Sequence, residues 1–409
     1  MRIVMSLVGI LTVLALAYLL SSSRSSINKR TIVIAFLLQA SIAGFILYVP
    51  WGTLMLDTVV RGVQHVINYA NDGIEFVFGA ELKPTLGITI AFSVLPVIIF
   101  FASLMSLLYY LGIMQMFVGV VGGWLHKLLQ TSRAESVSAA SNIFVGHTDA
   151  PLVVKPYLDG MSRSELFAVM TGGCATIAGG VMMAYATMGV ELKYLLTASF
   201  MAAPGGLLIA KIMMPETEPR SDAAELAVEE DPDAPVNVFE AIGNGAMTGL
   251  QIAVSVAAML ISFVAIIFLL NGILSGIGSW FGFEDLTLQW VLGLLFAPIA
   301  FLLGVPWEEA TVAGSLIGQK LVLNEFYAYA SYMQVQDGLS EYTQLVVTFA
   351  LCGFANFGSI AILLGGLGSV IPKRRHEIAE LGLRAVIGGT LVNLMNAALA
   401  GFFFTLQAM

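Results

Sequence analysis

Two short stretches concentrate chemistry in an otherwise oily chain. In "IFVGHTDAPLVVKP" (143–156), His147, Thr148 and Asp149 stand side by side between a glycine and a proline. In "GQKLVLNEFYAY" (318–329), Lys320, Asn324 and Glu325 interrupt a second apolar run. A neutral histidine offers one donor and one acceptor, and an ionised carboxylate only accepts. Such groups can hold a polar ligand, ligate a metal or exchange protons. Ionisable side chains inside a bilayer are costly and mark substrate or ion pathways. Glu325 is therefore read as functional rather than as an acid paired only to Lys320.

The setting is a membrane. Of 409 residues, 58% are hydrophobic and 11% charged, where soluble domains carry about a quarter charged residues. Mean hydropathy is +0.89. The net charge of -9 is concentrated in "PETEPRSDAAELAVEEDPDAP" (215–235), a solvated acidic loop. No basic, aromatic-interleaved patch points to nucleic acid. Cys174 and Cys352 lie in apolar runs and read as buried hydrophobes.

The elements that must position these groups are helices. Apolar segments near 3–20, 31–49, 86–112, 165–188, 193–213, 247–275, 342–370 and 381–405 predict eight transmembrane helices. The run from Ile3 to Leu20 is 18 residues, longer than the roughly 7–15 of a signal-peptide core, and reads as a span. Arg24, Lys29 and Arg30, with Lys373, Arg374 and Arg375, place two loops in the cytoplasm and both termini outside. Segments 54–79 and 114–130 mix polar and apolar residues at helical spacing and predict interfacial helices. Segment 288–303 reads as a short span or a buried interfacial helix. His65 and His126 fall on interfacial segments and are given no role.

Residues 134–160 and 306–334 cannot be ordinary spans. A lipid-facing break at "GHTDAP" would leave backbone groups unpaired. Residues 134–145 as a helix would run about 18 Å at 1.5 Å per residue, reaching the middle of a hydrocarbon core about 30 Å thick. Both segments are expected to be re-entrant helical hairpins, with tips at 146–151 and near Asn324. A broken span follows each: "GGCATIAGG" (172–180) and "CGFANFGSI" (352–360). The parts repeat in order: span, interfacial helix, hairpin, broken span, span. The fold expectation is an all-α integral membrane protein with an inverted repeat. Residues 1–85 form N-terminal helices, 86–213 the first repeat, 214–246 an acidic loop and connector, and 247–409 the second repeat. Inverted repeats with discontinuous helices meeting near the midplane are the pattern of a secondary transporter.

The second hairpin carries a specific resemblance. Gly318, Lys320, Asn324, Glu325, Phe326, Ala328 and Tyr329 match the signature of concentrative nucleoside transporters, Gly-x-Lys-x-x-x-Asn-Glu-Phe-Val-Ala-aromatic, with Tyr327 for the valine. "GFANFGSI" (353–360) resembles the family's Gly-Phe-Ala-Asn-Phe-Ser-Ser-Ile, with Gly358 for one serine, and "AAPGG" (202–206) also fits. The resemblance runs from about residue 30 to the end and is similar to the bacterial branch. It implies a homotrimer in a bacterial cytoplasmic (inner) membrane, with a scaffold holding a mobile transport domain. It also implies a nucleoside substrate, sodium or proton coupling, and no other cofactor.

The resemblance assigns residues as well. Glu325, Asn356 and Ser359 match ribose ligands, Phe354 an aromatic packed on the nucleoside, and Val181 an apolar contact to the base. His147, Thr148 and Asp149 occupy positions facing the base, where the family usually has Gln, Thr or Ser, and Glu. The coupling cation falls to Asn142, Val145, Thr176 and Ile177, an all-oxygen set suited to a hard cation such as sodium. Proton-coupled symport is the alternative. An intramembrane enzyme built on His147, Asp149 and Glu325 lacks a nucleophile motif and a nearby second histidine. A passive channel would need a continuous pore rather than re-entrant tips.

Overall fold

The computed structural model describes residues 2–79, 89–146, 150–218, 235–283 and 286–407. Most of the acidic 215–235 segment lies outside these residues. Among the described residues every regular element is helical.

Two helices, α1 (Arg2–Leu19) and α2 (Lys29–Leu47), lead into a 29-residue amphipathic helix, α3 (Pro50–Phe78). One π-helical turn (Ile90–Val94) opens α4 (Leu95–Tyr110), and α5 (Ile113–Leu129) follows. The first helix-break-helix unit is α6 (Arg133–Ser141), residues 142–149, a 3-10 turn (Ala150–Val154) and α7 (Lys155–Leu158). A broken helix, α8 (Arg163–Ala175) and α9 (Gly179–Met188), precedes α10 (Leu192–Met213). The second half runs α11 (Val238–Ser279), α12 (Leu288–Leu302), α13 (Trp307–Val322) and α14 (Glu325–Val335). It closes with α15 (Glu341–Leu351), α16 (Gly358–Gly365), α17 (Leu367–Val370) and α18 (Arg375–Gln407).

Seven helical segments are long and apolar enough to cross a membrane, and the bent pair α12–α13 makes eight. The segment 342–370, expected as a span broken within 352–360, is interrupted at 352–357, and neither piece spans alone. The bend between α12 and α13 is 115°. It turns at Gly304, whose φ of 93° suits a residue without Cβ.

Burial sorts the helices into two groups. In α8–α9, α10 and α18, 89%, 94% and 78% of the spanning window is buried. In α1, α2, α4 and α11 the figure is only 22–28%. The second group presents apolar side chains outward, such as Val254, Ile261 and Phe268 of α11, as a lipid-facing shell does. The first group forms the core. At 42 residues, α11 is about 63 Å long at 1.5 Å per residue. It begins earlier than the apolar run does, because Asn237 caps it by accepting from the Glu240 N–H at 3.0 Å.

The first unit is shorter than expected. A capping box at Ser132 and Glu135 starts α6. It stops at Ser141 rather than 145, because the N–H groups of Ile143 and Phe144 turn to Ala140 O and Ser141 O, three residues back. Its base is fastened on two sides. Lys211 Nζ of α10 lies 2.7 Å from Glu135 Oε2 and donates to Ser164 Oγ at 2.9 Å. Arg374 donates to Leu158 O at 2.9 Å and Met161 O at 2.7 Å.

Candidate functional site

Glu325 is the first residue of α14. Asn324 caps that helix, its Oδ1 accepting from the Tyr327 N–H at 2.8 Å, so the carboxylate sits at the positive end of a helix. The residue is 5% exposed. Tyr185 Oη donates to Glu325 Oε1 at 3.0 Å, and Asn356 Nδ2 donates to Oε2 at 3.0 Å. The Asn356 carbonyl accepts from the Ser359 N–H at 3.0 Å. Ser359 Oγ donates to Phe354 O and lies 3.3 Å from Asn356 Oδ1. Glu325 and, 31 positions later, Asn356 with its near neighbour Ser359 thus form one buried hydrogen-bonded cluster. Lys320 is not its partner: its ammonium turns to Ala350 O and Asn393 Oδ1. Glu309 accepts from Ser340, the residue that caps α15, while Glu308 is exposed.

Tyr185 is the member that sequence reasoning missed. Its ring packs on Tyr329 at 4.5 Å and Phe326 at 5.3 Å, which aims the hydroxyl at the carboxylate. The available signal was spacing: Tyr185 follows Val181 by four residues on α9, hence on the same face.

Val181 and Val145 line a neighbouring cavity of about 300 Å³ with Gly146, Ser106 of α4 and Thr248 of α11. A single turn of α9 therefore connects this cavity to the Glu325 cluster. Phe354 is half-buried at the second break. Its N–H donates to Thr176 O at 3.1 Å, joining the break in α15–α16 to the break in α8–α9.

Asn142 caps α6 and is 1% exposed. Neither its Oδ1 nor its Nδ2 has a hydrogen-bond partner among the described residues. It faces α8: a Cβ added at Gly172 would lie 3.3 Å from Nδ2. Thr176 ends α8, and its hydroxyl donates to Gly172 O at 3.1 Å, leaving the oxygen's lone pairs open. The Gly179 N–H donates to Phe144 O at 2.8 Å and binds this break to the first unit. Ile177 is fully buried in the same break, and Val145 is half-buried. Asn142 and Thr176 are thus both anchored around Gly172. His147, Thr148 and Asp149 lie outside the described residues. The residues flanking them are joined, Ala150 N–H donating to Gly146 O at 2.9 Å.

Comparison with known proteins agrees with this architecture. Residues 194–401 match the family described as "Na+ dependent nucleoside transporter C-terminus", and residues 8–81 match its N-terminus. Residues 91–191 match "Nucleoside recognition". The chain is 49% identical to the nucleoside permease NupC of Helicobacter pylori, over 98% of both chains. It is 37% identical to sodium/nucleoside cotransporter 1 of Rattus norvegicus, over 98% of this chain and 63% of that one. The solved structure of CNTnw in an inward-facing substrate-bound state superposes with a TM-score of 0.96 at 50% identity, over 100% and 99% of the two chains. A multi-pass helical membrane protein with these matches is a transporter and not an enzyme, and the chain belongs to the concentrative, Na+-dependent nucleoside transporter family.

Proposed function

We propose that the protein imports nucleosides by sodium symport through alternating access. The observation that carries the reading is the buried cluster of Glu325, Asn356 and Ser359. Its carboxylate and amide oxygens are acceptors for the vicinal hydroxyls of a ribose, and Ser359 both donates and accepts. Phe354 stacks against the nucleoside and Val181 packs on the base. His147, Thr148 and Asp149 read the base from the first unit, with Asp149 reaching it through a water.

Sodium occupies oxygen ligands from Asn142, Val145, Thr176 and Ile177. What supports this is an Asn142 amide buried without a partner among the described residues, since an unpaired buried polar group costs about 1–3 kcal/mol. None of the four supplies a carboxylate to carry a proton, which favours sodium as the coupling ion.

The two helix-break-helix units act as re-entrant hairpins, 134–160 from the cytoplasm and 306–334 from outside. Support comes from element order. The series α4, α5, α6–α7, α8–α9, α10 is matched by α11, α12, α13–α14, α15–α17, α18. On this reading 86–213 and 247–409 are inverted repeats, 1–85 an N-terminal scaffold part, and 214–246 a cytoplasmic connector. The mobile body is the buried group of helices. The assembly is a homotrimer in the cytoplasmic membrane.

The test is uridine uptake into proteoliposomes under an imposed inward sodium gradient. Accumulation above the external concentration, abolished when choline replaces sodium, is the expected result. Equilibration without accumulation would make the protein a passive pore, and accumulation driven by a proton gradient alone would reassign the ion.

A further inference from the structure

Two helices end in mid-span, α8 at Ala175 and α15 at Leu351. The last carbonyls of a helix have no partner within it, and in a membrane interior they must find one. Here both breaks are served by the same pair of side chains. Asn393 Nδ2 of α18 donates to Ala175 O at 2.7 Å and to Cys352 O at 2.8 Å. Lys320 Nζ of α13 donates to Ala350 O at 3.1 Å and to Asn393 Oδ1. Lys320 is 1% exposed and Asn393 is fully buried. Among the described residues Lys320 forms no ion pair, and its charge faces the negative end of one half-helix, α15, through Ala350 O. Close approach makes this possible: a Cβ added at Gly389, one turn before Asn393, would lie 2.7 Å from Cys174 Cβ.

What hangs on each end of this pair matters. Thr176 and Ile177 directly follow Ala175. Phe354 and Asn356 lie within four positions after Cys352. Glu325 follows Lys320 by little more than one turn, at the start of the next helix. The direct bridge between the breaks, Phe354 N–H to Thr176 O at 3.1 Å, is one backbone bond. Asn393 and Lys320 hold the carbonyls on both sides of it.

We infer that Lys320 and Asn393 are positioning residues that couple the cation site to the nucleoside site. Ordering of the α8–α9 break by a cation is passed through Asn393 to the α15–α16 break and through Lys320 to the helix that presents Glu325. This rests on the cation-symport reading above, and it assigns the coupling to a pair that touches neither ligand.

The experiment is uridine binding to the purified full-length protein by isothermal titration, in choline-substituted buffer and in saturating sodium. The ratio of the two Kd values measures coupling. Linked sites typically show ratios of roughly 5–150, and the wild type is expected in that range. Lys320→Met removes the charge at similar length, and Asn393→Asp keeps an acceptor for Lys320 while deleting both amide donations. In each variant the ratio is expected to fall toward one, chiefly because sodium no longer tightens binding. A wild-type ratio in a folded variant overturns the inference. Monodisperse elution and cooperative thermal unfolding identify folded variants. If both variants fail them, the pair is a folding staple and the inference is overturned. If the wild-type ratio is one in sodium, the sodium reading fails by itself, and the ratio is taken between acidic and alkaline buffer instead. A wild-type ratio of one for both cations overturns the inference as well.

Discussion

The two helix-break-helix units meet the same problem, a polar tip inside an apolar body, in opposite ways. In the second, the polar groups at the tip itself are engaged: Asn324 caps α14, and Tyr185 and Asn356 hold Glu325. In the first, Asn142 is buried with its amide unpaired among the described residues. A pre-built cluster suits a ligand whose hydroxyls exchange one set of hydrogen bonds for another. An unpaired carbonyl suits a bare cation that brings its own charge and must shed water. Under the proposed function the asymmetry divides labour: one unit is organised before its ligand arrives, the other is completed by it.

The strongest way to break this comparison is Glu325→Gln. Hydrogen bonds to charged groups contribute about 1.5–3 kcal/mol, so uptake should fall roughly tenfold to a hundredfold, since 1.4 kcal/mol is a factor of ten. The loss should be equal for uridine and adenosine, which share the ribose. Near-normal transport of either would remove Glu325 from ribose recognition.

Next in size is the first unit. Sodium at about 100 times its Kd stabilises a protein that binds it by about 2.7 kcal/mol, so it should raise the wild-type Tm measurably in detergent. Asn142→Ala should erase that shift, and Thr176→Ala should reduce it. Both should raise the sodium concentration for half-maximal uptake. An undiminished sodium shift in Asn142→Ala would mean the unpaired amide has another purpose.

A smaller effect sharpens the idea of pre-organisation. Tyr185→Phe deletes one hydrogen bond to Glu325, worth roughly 0.5–1.5 kcal/mol net. Uridine affinity should weaken a few-fold while the sodium requirement stays put. A variant that changes the sodium requirement more than the uridine Kd would place Tyr185 on the ion side of the molecule.

The smallest total effect, a re-ranking rather than a loss, is expected from His147→Gln with Asp149→Glu. Competition of labelled uridine by adenosine, cytidine and inosine, measured for wild type and double variant at two pH values, should change order. An identical order in both proteins at both pH values would leave these side chains as a structural hydrogen-bond pair.

Much of this was legible in the sequence because a bilayer forbids most alternatives. Apolar runs located the helices, an acid inside such a run singled out Glu325, and the family resemblance added Asn356 and Ser359. Residues that act by packing were hidden. Tyr185 looks like one aromatic among many until its ring is seen wedged against Tyr329. Asn393 sits in a helix where Asn396 is equally polar, yet Asn396 accepts from Gln39 at 2.7 Å in a different layer. Only three-dimensional placement separates them. Helix ends were hidden too: Asn237 extends α11 beyond its apolar stretch, and the 3-10 tightening after Ser141 shortens α6.

Arg374 has a consequence for how the chain is made. Its positive charge belongs to the loop that orients the last span, yet its guanidinium is committed to Leu158 O and Met161 O. Those partners are 216 and 213 positions earlier. At roughly 5–20 residues per second of synthesis, the first unit waits roughly 10–40 s for Arg374, the later of the two groups that fasten its base. Throughout that interval its short helices have no completed core to rest against. The nascent first half must then be sheltered at the insertion machinery or held loosely in lipid. A ribosome stalled before Arg374 should leave residues 133–161 open to proteolytic probes that the finished protein excludes.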